Sequence, residues 1–408
     1  MINKKIMQIN ITCGVGSTGR ISEALYYATK ENGYDVAFAY SAYTPTIKEA
    51  FRIENRLQNI LRRGLNKYIG RKQKHSTPGT KRLIRYIKKE KPDLIHLHNV
   101  QQNSVNYPVL FDFLKKSKIP AVYTLHDCWA FTGGCYHFTR NNCTQYQIGC
   151  HNCKLDLSKD DLTISTQKSY EIKKEKIGEN ENIYPVGVSQ WLCNVATKSY
   201  MGKMQNLPQL VYNGIDTDTF YPRNIDREKK YGINKDTFVI LGVASYWDKR
   251  KDVDVFLRIA HNISFSIKII LIGGGLDCIR ELNDDRFICV DRTENVNELA
   301  EYYSLADVFI NASKEETFGL TTAEALACGT PAIVYDSTAC PEVVDKQTGI
   351  VVSTQEDSEL FCGIEKIKRN GKSFYSTACR ARAVNHFSKE RMINEYIQIY
   401  RSIFENER

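Results

Sequence analysis

Short apolar runs recur along this chain, each closed by glycine or polar breakers and most followed by a stretch with helical spacing. The pattern restarts at residue 238. Regular alternation of strand and helix is the signature of parallel sheets covered by helices on both faces. Strands are expected at 6–12, 36–40, 94–97, 121–125, 186–189 and 210–212, with a helix at 17–32. The second half repeats the scheme with strands at 238–243, 267–272, 287–290, 308–310 and 332–334, and a helix at 254–261. A chain of 408 residues exceeds what one core usually supports, so two α/β domains are expected. The Asn-Gly, Asp and Pro breakers of VYNGIDTDTFYPRN mark 211–224 as the linker. A last amphipathic helix is expected at 389–404, with Met392, Ile393, Tyr396, Ile397, Tyr400 and Ile403 on its apolar side.

Residues 311–335, NASKEETFGLTTAEALACGTPAIVY, carry the chemistry. Glu316 and Glu324 stand eight positions apart, and between them a Phe-Gly-Leu-Thr-Thr turn runs into a helix that Gly329-Thr330-Pro331 ends. An open helix N-terminus offers unpaired N–H groups and a positive dipole end to a phosphate. One acid before the turn and one inside the helix can hold hydroxyl groups on either side of a bound pyrophosphate, as a nucleotide-sugar requires.

The segment 313–334 resembles the E-x7-E signature of retaining glycosyltransferases of family 4, with the acids, the glycine turn, the helix end and the strand in register. The resemblance implies the GT-B fold, two Rossmann-like, doubly wound parallel-sheet domains facing a cleft. It places an N-terminal acceptor domain at 1–217, a nucleotide-sugar donor domain at 218–385, and a final segment, 386–408, that crosses back to the first domain. Glu316 would face the donor sugar's hydroxyls. Phe318, Gly319, Leu320 and Thr321 would form the turn around sugar and phosphate, and Glu324 would bind the ribose. The run from His126 to Cys153 is similar to exopolysaccharide-type enzymes of the colanic-acid group, which implies a lipid-linked or growing polysaccharide acceptor.

Other constellations fit that frame. Gly14-Val15-Gly16-Ser17-Thr18-Gly19 follows the first strand as a formal G-x-G-x-x-G. A dinucleotide site would need an acid after strand two, where Phe38-Ala39-Tyr40-Ser41 has none. Gly16 is instead assigned to the donor phosphate or acceptor. His126, in Thr124-Leu125-His126-Asp127, ends a strand, and by the resemblance its imidazole would help position the reacting sugar. His96 and His98 share one face of their strand and remain unassigned. In the family an Arg and a Lys meet the pyrophosphate; here Ser245 occupies the Arg position, Lys251 is kept, and Arg250 is the candidate substitute. No Asp-x-Asp motif is placed to guide the pyrophosphate through a metal, so catalysis is expected to need no metal cofactor.

Thirteen cysteines cannot all pair. Cys135, Cys143, Cys150 and Cys153 lie in a polar, aromatic loop, 133–154, and could supply a structural zinc site; free or redox-labile thiols are the alternative. The net charge of +9 is concentrated: 46–91 holds fifteen Lys/Arg against three Asp/Glu. Its apolar residues at helical spacing suit an anionic membrane surface, while a solvated basic helix face is the plain alternative. Aromatics for base stacking are sparse there, so nucleic acid is not expected as a partner. With no run of 18 apolar residues and no cleavage-site pattern after the first residues, the expected location is cytoplasmic, on the inner face of the membrane. Two rivals remain. An NAD(P)-dependent sugar-nucleotide enzyme would want Tyr-x3-Lys, which Tyr86 to Glu90 misses. A basic nucleic-acid-binding module would leave Glu316 and Glu324 without a purpose.

Overall fold

The computed structural model describes residues 4–54, 77–101, 105–153, 165–353 and 356–406. The chain folds into two compact units, Met1–Val211 with Ile393–Arg408, and Tyr212–Met392. Among the described residues the first unit holds β1 (Lys5–Ile9), β2 (Asp35–Tyr40), β3 (Phe51–Arg52), β4 (Leu94–Leu97), β5 (Ala121–Leu125), β6 (Ile183–Gly187) and β7 (Gln209–Leu210). They form one sheet in the order β3-β2-β1-β4-β5-β6-β7, every pair parallel. The second holds β8 (Phe238–Tyr246), β9 (Ile267–Gly274), β10 (Phe287–Val290), β11 (Val308–Asn311), β12 (Ala332–Tyr335) and β13 (Gly349–Val352), in the order β10-β9-β8-β11-β12-β13, again all parallel. Both are Rossmann-like. The order reverses between β1 and β4 and between β8 and β11, the switch points where doubly wound sheets open a crevice at their carboxyl edge. Ile6, Met7, Leu94, Ile95, Ile240 and Leu241 are fully buried, as strands covered on both faces must be.

Several boundaries differ from the sequence expectation; the first strand, for one, ends at Ile9 and not at 12. Strand β6 begins at Ile183 and passes through Pro185. Strand β7 reaches only Val186 and Gly187, so β6 has an open flank at the proline, where a missing N–H is tolerated. Strand β8 continues to Tyr246 through a register irregularity after Val243, carrying Ser245 to the exposed strand end. The units divide at 211/212 and 392/393, not at 217 and 385. The linker packs on the second unit: the Ile215 N–H donates to Phe387 O (2.8 Å), and the Lys389 N–H donates to Ile215 O (2.9 Å).

The helix Leu320–Ala327 is bracketed by two glycines in the left-handed region, Gly319 (φ 104°) and Gly329 (φ 75°). At its end the Thr330 N–H donates to Ala325 O and the Gly329 N–H to Leu326 O, the paired bonds of a Schellman motif, with Pro331 preventing continuation. The last helix, Lys389–Asn406, joins the first unit from Ile393 onward. There Tyr400 OH bonds His96 Nδ1 (2.6 Å), Thr124 Oγ1 bonds both His96 Nε2 and Tyr396 OH (2.8 Å each), and all four side chains are buried.

Burial, helped by the nearby His126, pushes the His96 imidazole down to about 3, so it is neutral in the fold and takes up a proton on unfolding. Its stabilising contribution is complete above the ordinary imidazole value of ~6.5 and declines as pH falls toward 3, by ~1.4 kcal/mol per pH unit. Urea midpoints of His96→Gln should therefore vary less steeply between pH 6 and 4 than those of the parent; equal slopes would refute the assignment. Gly329→Ala should cost about 1–3 kcal/mol in urea unfolding, because alanine is strained at this φ and its Cβ would clash with Ser376 Oγ.

Candidate active site

In the second unit the loops after β8, β11 and β12 meet. Lys251 Nζ pairs with Glu316 Oε1 and donates to Ser313 Oγ (3.0 Å), while Ser313 Oγ donates to the same Glu316 oxygen (3.2 Å). The Glu316 N–H donates to Thr338 Oγ1 (2.8 Å). The Lys251 and Glu316 side chains are 22% and 19% exposed, so the pair is reachable without being freely solvated. The flanking residues fasten the two segments: the Lys314 N–H donates to Arg250 O (2.8 Å), and Asp252 receives Lys314 Nζ (3.1 Å), Tyr335 OH (3.1 Å) and Arg258 Nη2 (3.4 Å).

Beside this cluster the helix at Leu320 starts without a side-chain cap and without an acid in its first turn. The Thr322 and Ala323 N–H groups turn back to Gly319 O, which leaves the Leu320 and Thr321 amides at the open end. Glu324, one turn further, is nearly buried and accepts from Tyr303 OH (3.0 Å). The structure thus brings Lys251, Glu316, Gly319, Leu320, Thr321 and Glu324 into one continuous local arrangement. Two further expected donor-binding side chains have partners of their own within the second unit. Phe318 is 2% exposed and its ring packs against Phe387 and Tyr212, so it anchors the turn from below. The Arg250 guanidinium holds Asp248 through Nε (3.0 Å) and Nη2 (2.8 Å) and so shapes the lysine turn, while its side chain stays 41% exposed.

In the first unit Gly16 opens the helix Gly16–Glu31 with φ 73°, and that helix too starts without a side-chain cap. At the ends of β4 and β5, His98 Nδ1 bonds His126 Nε2 (3.1 Å). Burial lowers the His126 imidazole to about 4 and that of His98 well below its usual value, so both rings are neutral. Asp127 accepts from the Trp129 N–H (2.8 Å) and Gln101 Nε2 (2.8 Å), and burial pushes its carboxyl up to about 6 against those bonds.

Sequence reasoning missed Ser313, Thr338, Tyr303 and Lys173. Ser313 and Tyr303 lie close enough in sequence to the two acids to have been weighed; Thr338 and Lys173 have no local signal. Lys173 is fully buried, donates to Trp129 O (2.8 Å) and Thr132 O (3.0 Å), and lies 3.7 Å from the Trp129 ring centroid. It and the packed rings of Phe131, Phe138 and Tyr146 give the cysteine loop an interior of its own. In the cysteine loop Cys135 and Cys150 are buried and Cys143 and Cys153 half-buried. Among the described residues no three His, Cys, Asp or Glu side chains are gathered so as to hold a metal ion. The Cys150 sulfur receives the Gly133 N–H (3.1 Å), and burial pushes the Cys135 thiol up to about 12, with Cys153, Cys150 and Cys143 close enough to add to the rise.

Of the basic window, 55–76 lies outside the described residues. Its remaining helix, Thr77–Glu90, buries Leu83 and Ile87 in the protein core and exposes Lys81, Arg85, Lys88 and Lys89. That apolar stripe is already used, which leaves a cationic face and not a membrane-inserting one. Among the described residues no helix is long and apolar enough to cross a membrane.

Two family models match in succession: Glycosyltransferase Family 4 over 20–150 and Glycosyl transferases group 1 over 237–370. An uncharacterized 41.2 kDa protein in the cps region of Klebsiella pneumoniae is 26% identical over 78% of this chain and 82% of its own length. Alpha-monoglucosyldiacylglycerol synthase of Acholeplasma laidlawii is 29% identical over 68% of this chain and 67% of its own. The Anabaena protein Alr3699/HepE, solved in complex with UDP, superposes with a TM-score of 0.67 over 98% of this chain and 100% of that one, at 14% identity. With two parallel Rossmann-like sheets, a family match on each half and relatives of this kind, the chain is a GT-B glycosyltransferase of the family 4/group 1 type.

Proposed function

We propose that this glycosyltransferase moves a sugar, with retention of configuration, from a nucleotide-sugar to a lipid-linked or growing cell-surface polysaccharide. The observation that carries the reading is the Lys251–Ser313–Glu316 cluster beside the uncapped helix start at Leu320, with Glu324 one turn inside. Lys251 and the Leu320 and Thr321 amides meet the diphosphate and stabilise the leaving nucleoside diphosphate, a preorganised arrangement that can lower a barrier by several kcal/mol. Glu316 binds sugar hydroxyls and Glu324 the ribose. Gly16 leaves the start of its helix open to a phosphate or the acceptor. His126, neutral throughout the physiological range, is the group that the first unit offers to the transferred sugar, and it does so as a hydrogen-bonding imidazole and not as a cation. The acceptor hydroxyl then attacks from the face the diphosphate leaves.

The relative in a cps region and the relative named for a glucolipid support a surface-polysaccharide or lipid-linked acceptor, and the UDP complex of the structural neighbour supports a nucleotide donor. An acceptor with a lipid end would bring the enzyme to the inner face of the membrane, where the exposed lysines of Thr77–Glu90 suit anionic headgroups.

A thermal-shift panel of UDP, GDP, ADP, CMP and NAD⁺ should single out one nucleoside diphosphate. At 100 times its Kd that ligand adds ~2.7 kcal/mol to apparent stability. Glu324→Ala, compared with its own unliganded melting temperature, should lose the shift. A shift by NAD⁺ alone, or by none of the five, contradicts the reading. Because lysine and amides meet the diphosphate here, turnover should survive EDTA in protein that stays folded; loss of turnover that Mg²⁺ or Mn²⁺ restores would show that a divalent ion is needed.

A further inference from the structure

His98 lies one residue beyond β4, beside β5, whose following residue is His126. Its backbone N–H is fixed on Ile9 O (2.9 Å), and its ring is 1% exposed, stacked between those of His96 (centroids 4.1 Å apart) and His126 (5.4 Å). Its Nδ1 meets His126 Nε2, and its other nitrogen, Nε2, has no hydrogen-bond partner among the described residues. Nothing in the reaction proposed above uses His98.

We propose that His98 is a positioning residue that locks the tautomer and orientation of the His126 imidazole. The 3.1 Å contact between the two rings holds one proton. In a pair of neutral imidazoles the outer nitrogens then take opposite parts. If His126 Nε2 carries the shared proton, His126 Nδ1 accepts and His98 Nε2 carries the second proton. If His98 Nδ1 carries it, His126 Nδ1 donates and His98 Nε2 is bare. Changing from one state to the other moves the shared proton across the contact and requires a second proton to leave or reach His98 Nε2. That nitrogen is sealed from solvent and faces no described donor or acceptor, so the exchange has no outlet. His126 therefore offers a sugar hydroxyl one fixed role at Nδ1. The catalytic consequence rests on the reading of His126 given above; the locking itself does not.

The test uses the full-length protein labelled with ¹⁵N-histidine, and the variants His98→Asn, His98→Gln and His98→Phe, each checked for folding by its melting temperature. Asparagine places an amide where Nδ1 stood, glutamine only where Nε2 stood, and phenylalanine neither. Imidazole ¹⁵N shifts of His126 should report a single neutral tautomer in the parent and in His98→Asn, and an averaged pair in the other two. With the nucleotide-sugar whose diphosphate the thermal-shift panel selects, kcat should fall about tenfold or more for His98→Gln and His98→Phe, with donor KM moving less, and be largely kept by His98→Asn. An unchanged His126 tautomer in all three variants, or losses in His98→Asn equal to those in His98→Phe, overturns the proposal. If His126→Ala keeps its activity while the tautomer still follows His98, the catalytic reading of His126 fails and the locking stands.

Discussion

Parallel pairing is the constraint from which the rest follows. When every strand of a sheet runs the same way, every loop leaving a carboxyl end lies along one edge. In the second unit β8, β11 and β12 are neighbours, so Lys251, Ser313 with Glu316, and Thr338 arrive together although Lys251 and Glu316 are 65 positions apart. In the first unit adjacency of β1, β4 and β5 does the same for Asn10, whose Oδ1 accepts the Asn99 N–H (3.3 Å), and for His98 and His126. The side chains are chemically ordinary; the edge makes them a group.

Local signals in the sequence were read well where they are complete in themselves. The strand cores of β2, β4, β5 and β10 are apolar runs with clear breakers. The helix at Leu320 carries both its start and its stop in the chain, because only glycine sits easily at the φ of 104° and 75° that bracket it. Signals that depend on a distant partner were not legible. That Arg250 pairs with Asp248 is visible only once the turn between β8 and Lys251 is folded. Phe318 looks like part of a binding turn until Tyr212 and Phe387 arrive from the ends of the second unit. Thr338 and Lys173 had no local pattern at all, since their roles are set by which backbone groups the fold brings within reach.

The cysteine loop shows the same limit from another side. Four thiols in a segment without an evident core suggested a metal as the source of order. An aromatic cluster orders the loop from within, together with the buried Lys173 ammonium, whose protons go to two backbone carbonyls and whose charge rests on the Trp129 ring. Burial and the loss of hydration push this lysine down to about 7, with nearby thiols and Asp127 holding it from falling further. Such an arrangement couples the shape of the loop to Asp127, which is itself next to His126.

The pairing of Lys251 with Glu316 has a further bearing on what the second unit can retain. A lysine that already has a carboxylate partner gains little from a bare anion, since capturing one strips Glu316 of its counter-charge. A ligand that offers an anionic group to the lysine and hydroxyls to the glutamate replaces both halves of the pair at once. On the function proposed above, the site works as a coincidence detector: free phosphate or a lone sugar satisfies one half and strands the other, and only a molecule in which both are joined leaves neither charge unmatched.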